Sequence, residues 1–101
     1  MATLHVAWIV THEAAGEDPG AVVNDIISSE AVTTSGTSAQ SGTKPDGATH
    51  ALCRSLDSAH YVTNKGLTAS ALVTNSVSVA NGGYVVLRVP KGGRVAAITH
   101  S

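Results

Sequence analysis

The side chains in this sequence best suited to acid–base, nucleophilic or metal chemistry are five histidines and one cysteine: His5, His12, His50, His60, His100 and Cys53. No two histidines stand at His-x-x-x-His or another ligand spacing. A zinc site needs three or four converging ligands and an outer shell that orients them. His50 and His60 are the pair that neighbouring strands would bring together, and without a third ligand they read as part of a polar strand face. Cys53 alternates with Ala51 and Ser55, the pattern of a buried, inert thiol in mid-strand. Cysteine–histidine catalysis needs an activated thiolate and a base within reach, and His60 is the nearby candidate. Serines are plentiful, but none sits in a Gly-x-Ser-x-Gly elbow. No catalytic, cofactor-binding or metal-ligating residue is assigned, and the chain is read as a non-enzyme without a cofactor.

Lys91-Gly92-Gly93-Arg94 is the other stretch with chemical promise, since glycines flanked by cations can cradle phosphate. A phosphate loop, however, runs into a helix N-terminus, and the residues after Arg94 have the pattern of a strand. The segment reads as a turn with two surface charges. One Trp, two Tyr and no Phe, with a net charge of −1, supply neither a stacking platform nor a basic stripe, so no nucleic-acid partner is expected.

The elements that would position these residues are strands. Thr3 to Val10 alternates, with Leu4, Val6, Trp8 and Val10 on one face and Thr3, His5, Ala7 and Ile9 on the other. Thr11 to Gly20 reads as an acidic loop with a Pro19-Gly20 turn. Ala21 to Ile27 carries Val22, Val23, Ile26 and Ile27 at helical spacing, giving a short helical turn or an entry to the next strand. Ser28 to Thr34 is a strand, and Ser35 to Lys44 a long polar connection or an edge strand. Lys44-Pro45-Asp46-Gly47 is a turn, because Pro presets φ and Asp and Gly complete the bend. Strands follow over Ala48–Leu56 and Ala59–Thr63, joined by a tight turn at Asp57-Ser58. After Asn64-Lys65-Gly66 and a small-residue segment from Leu67 to Ala71, a strand runs from Leu72 to Val79, with Val73, Val77 and Val79 on one face.

The final stretch predicts a β-hairpin. Turns at Asn81-Gly82-Gly83 and Lys91-Gly92-Gly93 flank a strand with Val85, Leu87 and Val89 on one face and Tyr84, Val86 and Arg88 on the other. Val95 and Ala97 alternate with Arg94, Ala96 and Ile98 in the returning strand, and Pro90 belongs at a strand end. About seven strands with short turns make one all-β domain over residues 1–101, an antiparallel β-sandwich or jelly-roll-like barrel.

Composition sets the energetic terms. The apolar 43% is dominated by 15 Ala and 13 Val, so the core is thin for 101 residues and oligomerisation is the expected remedy. A single cysteine excludes an internal disulfide. No basic-then-apolar leader opens the sequence and no apolar run approaches a membrane span, so a soluble protein made in the cytosol, with no membrane partner, is expected. Residues 1–50 hold Glu13, Glu17, Asp18, Asp25, Glu30 and Asp46 against Lys44, a balance of −5; residues 51–101 hold Arg54, Lys65, Arg88, Lys91 and Arg94 against Asp57, a balance of +4. Opposite-signed halves suit pairing within one fold or between neighbouring copies.

Met1-Ala2-Thr3-Leu4-His5-Val6-Ala7, Ser35-Gly36-Thr37-Ser38-Ala39-Gln40-Ser41, the segments through Cys53 and Ala59-His60-Tyr61-Val62, and the closing Gly83-to-Ile98 stretch come in an order that resembles small structural proteins of tailed-bacteriophage virions. Asn64-Lys65-Gly66-Leu67 departs from the Gly-x-Asn-Pro turn usual in such chains. The resemblance implies a non-enzymatic virion component assembled in the host cytoplasm. Its expected form is a capsid decoration (cement) protein, a head spike or a tail part, with the first, a homotrimer contacting the major capsid protein or other virion proteins, the leading expectation. The alternative is a glycan- or host-surface-binding module of a spike or tail, working through exposed rings at Trp8, Tyr61 or Tyr84.

Overall fold

A computed structural model describes residues 2–11, 23–66, 70–71 and 74–99. The described residues form eight strands: β1 (Ala2–Thr11), β2 (Val23–Thr34), β3 (Ala39–Gln40), β4 (His50–Leu56), β5 (His60–Thr63), β6 (Val77–Val79), β7 (Tyr84–Arg88) and β8 (Ala96–Thr99). They make two four-stranded antiparallel sheets, ordered β2-β1-β4-β7 and β3-β8-β5-β6. The expected β-sandwich is the architecture found, with one strand more than expected and two open sheets in place of a barrel. No helix long and apolar enough to cross a membrane occurs among the described residues.

The alternation of β1 organises the core. Leu4, Val6 and Trp8 point between the sheets and are buried, as the sequence pattern predicts. They meet Val32 of β2, Ala51 and Cys53 of β4, and Val62, Val79 and Ala97 of the second sheet. Among the described residues that second sheet contributes no apolar core side chain larger than Val, so the indole of Trp8 supplies the bulk its small residues lack. Val85 and Leu87 of β7 pack against the same cluster, and Val89 is buried within it.

Several expectations need correction. The closing stretch is not a hairpin: both turns form, but β7 pairs with β4 in one sheet and β8 with β5 and β3 in the other. Pro90 ends β7, and a bend with Gly92 at φ 76° carries the chain across the sandwich. The Asp57-Ser58 turn, with Asp57 at φ 70°, is likewise an arch from β4 to β5 and not a hairpin loop. His50 and His60 therefore sit in different sheets. Of the two alternatives for Ala21–Ile27, the entry to the next strand is the one found: residues 23–27 extend β2 and are not a helical turn, and Ala21 and Val22 lie outside the described residues. β1 pairs there along its full length, and ladder bonds replace the helical alternative.

Thr11 closes β1, and the rest of the proposed acidic loop, residues 12–20, lies outside the described residues. Of the segments expected over Leu67–Ala71 and Leu72–Val79, Leu67, Thr68, Ala69, Leu72 and Val73 lie outside the described residues; Thr74-Asn75 form a turn and the strand runs over Val77–Val79. Within it Val79 is buried, while Val77 is exposed despite its shared face. The polar stretch after Ser35 resolves into an edge: Ala39 and Gln40 pair with β8. Beyond them Ser41 N–H donates to Val95 O (2.7 Å) and Lys44 N–H to Gly93 O (2.8 Å).

Candidate functional site

The most concentrated polar chemistry inside the fold joins the two sheets. His60 on β5 is in phase with core Val62, so its ring enters the sandwich and is fully buried. Its Nε2 lies 2.6 Å from Thr34 Oγ1 of β2, and its Nδ1 lies 3.0 Å from Ser55 Oγ of β4. Ser55 in turn donates its hydroxyl proton to Val79 O of β6 (3.2 Å). With that proton committed, Ser55 Oγ accepts from Nδ1–H, and Nε2 accepts from the Thr34 hydroxyl. One neutral tautomer thus satisfies every member of the chain. Burial lowers the His60 pKa from its ordinary 6.5, and a backbone hydrogen bond at Ser58 opposes that shift.

The residue types match a serine–histidine pair, but the geometry is that of a bolt. Ser55 and Thr34 are as buried as His60, and the serine proton points at a carbonyl rather than at the imidazole. A nucleophile needs both access and a base that takes its proton. The sequence reading of His60 as part of a polar strand face is corrected. The signal lay in phase: Thr34, Ser55 and His60 each stand two residues from a core apolar residue, namely Val32, Cys53 and Val62.

Cys53 is buried in mid-strand, where burial pushes its thiol up to about 12. Its Sγ lies 4.0 Å from Ala51 O, while the His60 nitrogens bond to hydroxyls. His50 is half-buried, with Nδ1 2.8 Å from Thr49 Oγ1. His5 faces outward from β1, in register with Arg54. His12 and His100 lie outside the described residues. Among the described residues no group of three or more His, Cys, Asp or Glu is placed to hold a metal ion. In the Lys91–Arg94 turn, Arg94 Nη1 reaches Gln40 Oε1 at 3.4 Å, which fastens the turn to β3.

A second polar clamp lies at the sandwich rim. Glu30 accepts from Trp8 Nε1–H through Oε2 (3.0 Å) and from Gly42 N–H through Oε1 (2.8 Å). Trp8 is therefore a buried anchor and not a ligand platform.

The surface has its own chemistry. Among the described residues, Ile26 (63% exposed), Ile27, Leu56, Val77 and Tyr84 (68% exposed) are the large apolar side chains left to solvent. Four of them belong to the first sheet, whose outer face also carries an in-register row of Ala7, Leu52 and Val86. Tyr84 stands in phase with outward Val86 and Arg88, on the face that its alternation assigns. No protein-family model, no curated protein and no solved structure matches the chain.

Proposed function

We propose that this protein is a structural building block that assembles with copies of itself on a larger particle. The specific form is the one its resemblance to tailed-phage virion proteins implies, a capsid decoration protein. The observation that supports this reading is the apolar side chains the first sheet leaves to solvent, Ile26 and Ile27 on a long edge strand and Leu56 and Tyr84 on the outer face, beside half-buried Leu52 and Val86. Large apolar side chains left to solvent on one sheet suit association. The residues with nucleophilic or acid–base potential in the interior, Cys53, Ser55 and His60, are spent on packing and cross-sheet bonding.

The test is location and state together. Purified virions from the source of this chain should contain it in stoichiometric amounts on the head surface, seen by mass spectrometry and antibody labelling, and the isolated protein should sediment as an oligomer. A chain absent from purified particles would overturn the reading.

A second reading, a glycan- or host-surface-binding module, draws on Tyr84, whose ring is the one described aromatic largely open to solvent and which pairs in register with Arg54. Tyr61 is half-buried and Trp8 buried. A glycan array on which Tyr84→Ala abolishes a specific signal would favour this second role.

A further inference from the structure

The three side chains of the His60 bolt all come from strand ends. Thr34 is the last residue of β2, Ser55 the last but one of β4, and His60 the first of β5. The backbone partners of His60 are terminal too: Val79 closes β6 and Thr99 closes β8. The bolt thus lies between the sheets, yet at one end of every ladder it touches, where local opening costs least. Val6, paired with both Glu30 and Cys53, marks the interior of the first sheet's ladders.

Nothing around the ring answers a positive charge. On the inward side of the strands packed about it stand Leu4 of β1, Thr34 of β2, Cys53 and Ser55 of β4, Val79 of β6 and Thr99 of β8. Cys53 is the one titratable group among them, and burial holds it as a neutral thiol. His5 and Arg54 face outward from the first sheet. Among the described residues no Asp, Glu, Lys or Arg side chain is buried. Met1 and His100, next to Ala2 and Thr99, lie outside the described residues. In the neutral ring Nε2 accepts the Thr34 hydroxyl proton; in the imidazolium it must donate. The buried cation would then have no counter-charge, and the Thr34 hydroxyl would lose its acceptor.

The chain provides an exit beside the ring. Asp57, Ser58 and Ala59 lead from β4 into β5 and pair in neither ladder. Asp57 holds φ 70°, a left-handed conformation that is strained for a residue with a side chain. Rotation there, with loss of the terminal His60–Val79 and His60–Thr99 pairs, carries the ring into water. Asp57 is exposed and three residues away, so its carboxylate stands at the exit to favour the imidazolium.

We propose that His60 is an acid-released latch: taking up a proton expels its ring through the 57–59 arch and opens this end of the sandwich, while the ladders about Val6 and Trp8 hold. The latch belongs to the single chain and does not depend on assembly.

NMR of the purified chain from pH 7.5 to 4 tests it. The His60 imidazole should titrate in a chain that is still folded, with the open-to-closed ratio rising tenfold per pH unit, the slope of one proton. Over the same range the amides of residues 57–60 and of Val79 should move to unfolded-chain shifts, while those of Val6 and Cys53 and the emission of Trp8 keep their native values. His60→Gln should remove the transition. Asp57→Asn, which suits the left-handed backbone but lacks the carboxylate, should move it to lower pH; if His60→Gln does not fold, this variant decides. A ring that protonates with the arch shifts unchanged takes its charge in place, and the proposal is wrong. A ring that stays neutral until the whole chain unfolds in one step would equally defeat it, as would a midpoint indifferent to Asp57→Asn.

Discussion

Thr34 Oγ1 and His60 Nε2 lie 2.6 Å apart, joining β2 of one sheet to β5 of the other through the middle of the sandwich. Replacing Thr34 by Val keeps the shape but leaves Nε2 buried without a donor. Such an orphaned group costs about 1–3 kcal/mol. Urea midpoints should show Thr34→Val destabilised on that scale and Thr34→Ser close to the parent. Equal stability of all three would mean that the bond contributes nothing.

The same histidine gives the fold a pH dependence of definite sign. Burial holds the His60 pKa below its ordinary 6.5, so as pH falls through about 6.5 the unfolded chain takes up a proton that the folded chain refuses. The stabilisation is fully present above that value. It is lost at up to ~1.4 kcal/mol per pH unit until the lower folded pKa is reached. The parent should lose more stability between pH 7.5 and 5 than His60→Gln does. Parallel pH profiles for the two proteins would contradict the assignment.

Trp8 combines the largest buried side chain with a bond to Glu30, and the two terms separate by substitution. Trp8→Ala should cost roughly 3–5 kcal/mol. Glu30→Ala keeps the ring but strips the partner from the indole and from Gly42 N–H, and should cost about 1–3 kcal/mol. Thermal or urea unfolding measures both. A Trp8→Ala protein as stable as the parent would disprove the anchor.

Cys53 should resist thiol reagents in the native state and react readily once urea opens the sandwich. The thiolate is the attacking species, and burial pushes the thiol up to about 12. Rapid native labelling at neutral pH would show an open path to β4.

Gly66 should be intolerant in a way its turn sequence does not announce. A Cβ there would meet Ala96 N, Arg94 O and Val95 C at 2.9 Å, all backbone, whereas one at Gly36 would meet nothing within 4 Å. Gly66 N–H also donates to Arg94 O (3.1 Å). Gly66→Ala should destabilise by about 1–3 kcal/mol, the range for overpacking, and Gly36→Ala should be close to neutral. Equal effects would place the 64–66 turn farther from β8.

What could be read from the sequence was local. Alternation at Leu4, Val6 and Trp8 fixes a face, and Asn81-Gly82 or Lys91-Gly92 fixes a bend. A bend says nothing of which sheet the chain enters next, because arches and hairpins draw on the same turn residues. That is why the β7–β8 and β4–β5 connections were misassigned. The His60 bolt was hidden for another reason. A histidine, a serine and a threonine on three strands look like surface until the sheets are stacked, and only their phase with Val62, Cys53 and Val32 hints otherwise.

The position of β8 has a consequence in time. Although it is the last of the eight described strands, it lies inside its sheet, bonded to β3 on one side and β5 on the other. During synthesis the β1–β2 ladder can form early, with Leu4, Val6 and Trp8 facing no second layer. In the opposite sheet nothing joins β3 to β5 until residues 96–99 leave the ribosome. Burial of Trp8 therefore waits on residues nearly ninety positions later in the chain, and contacts of such sequence separation form slowly. The nascent chain displays its largest apolar side chain throughout that interval.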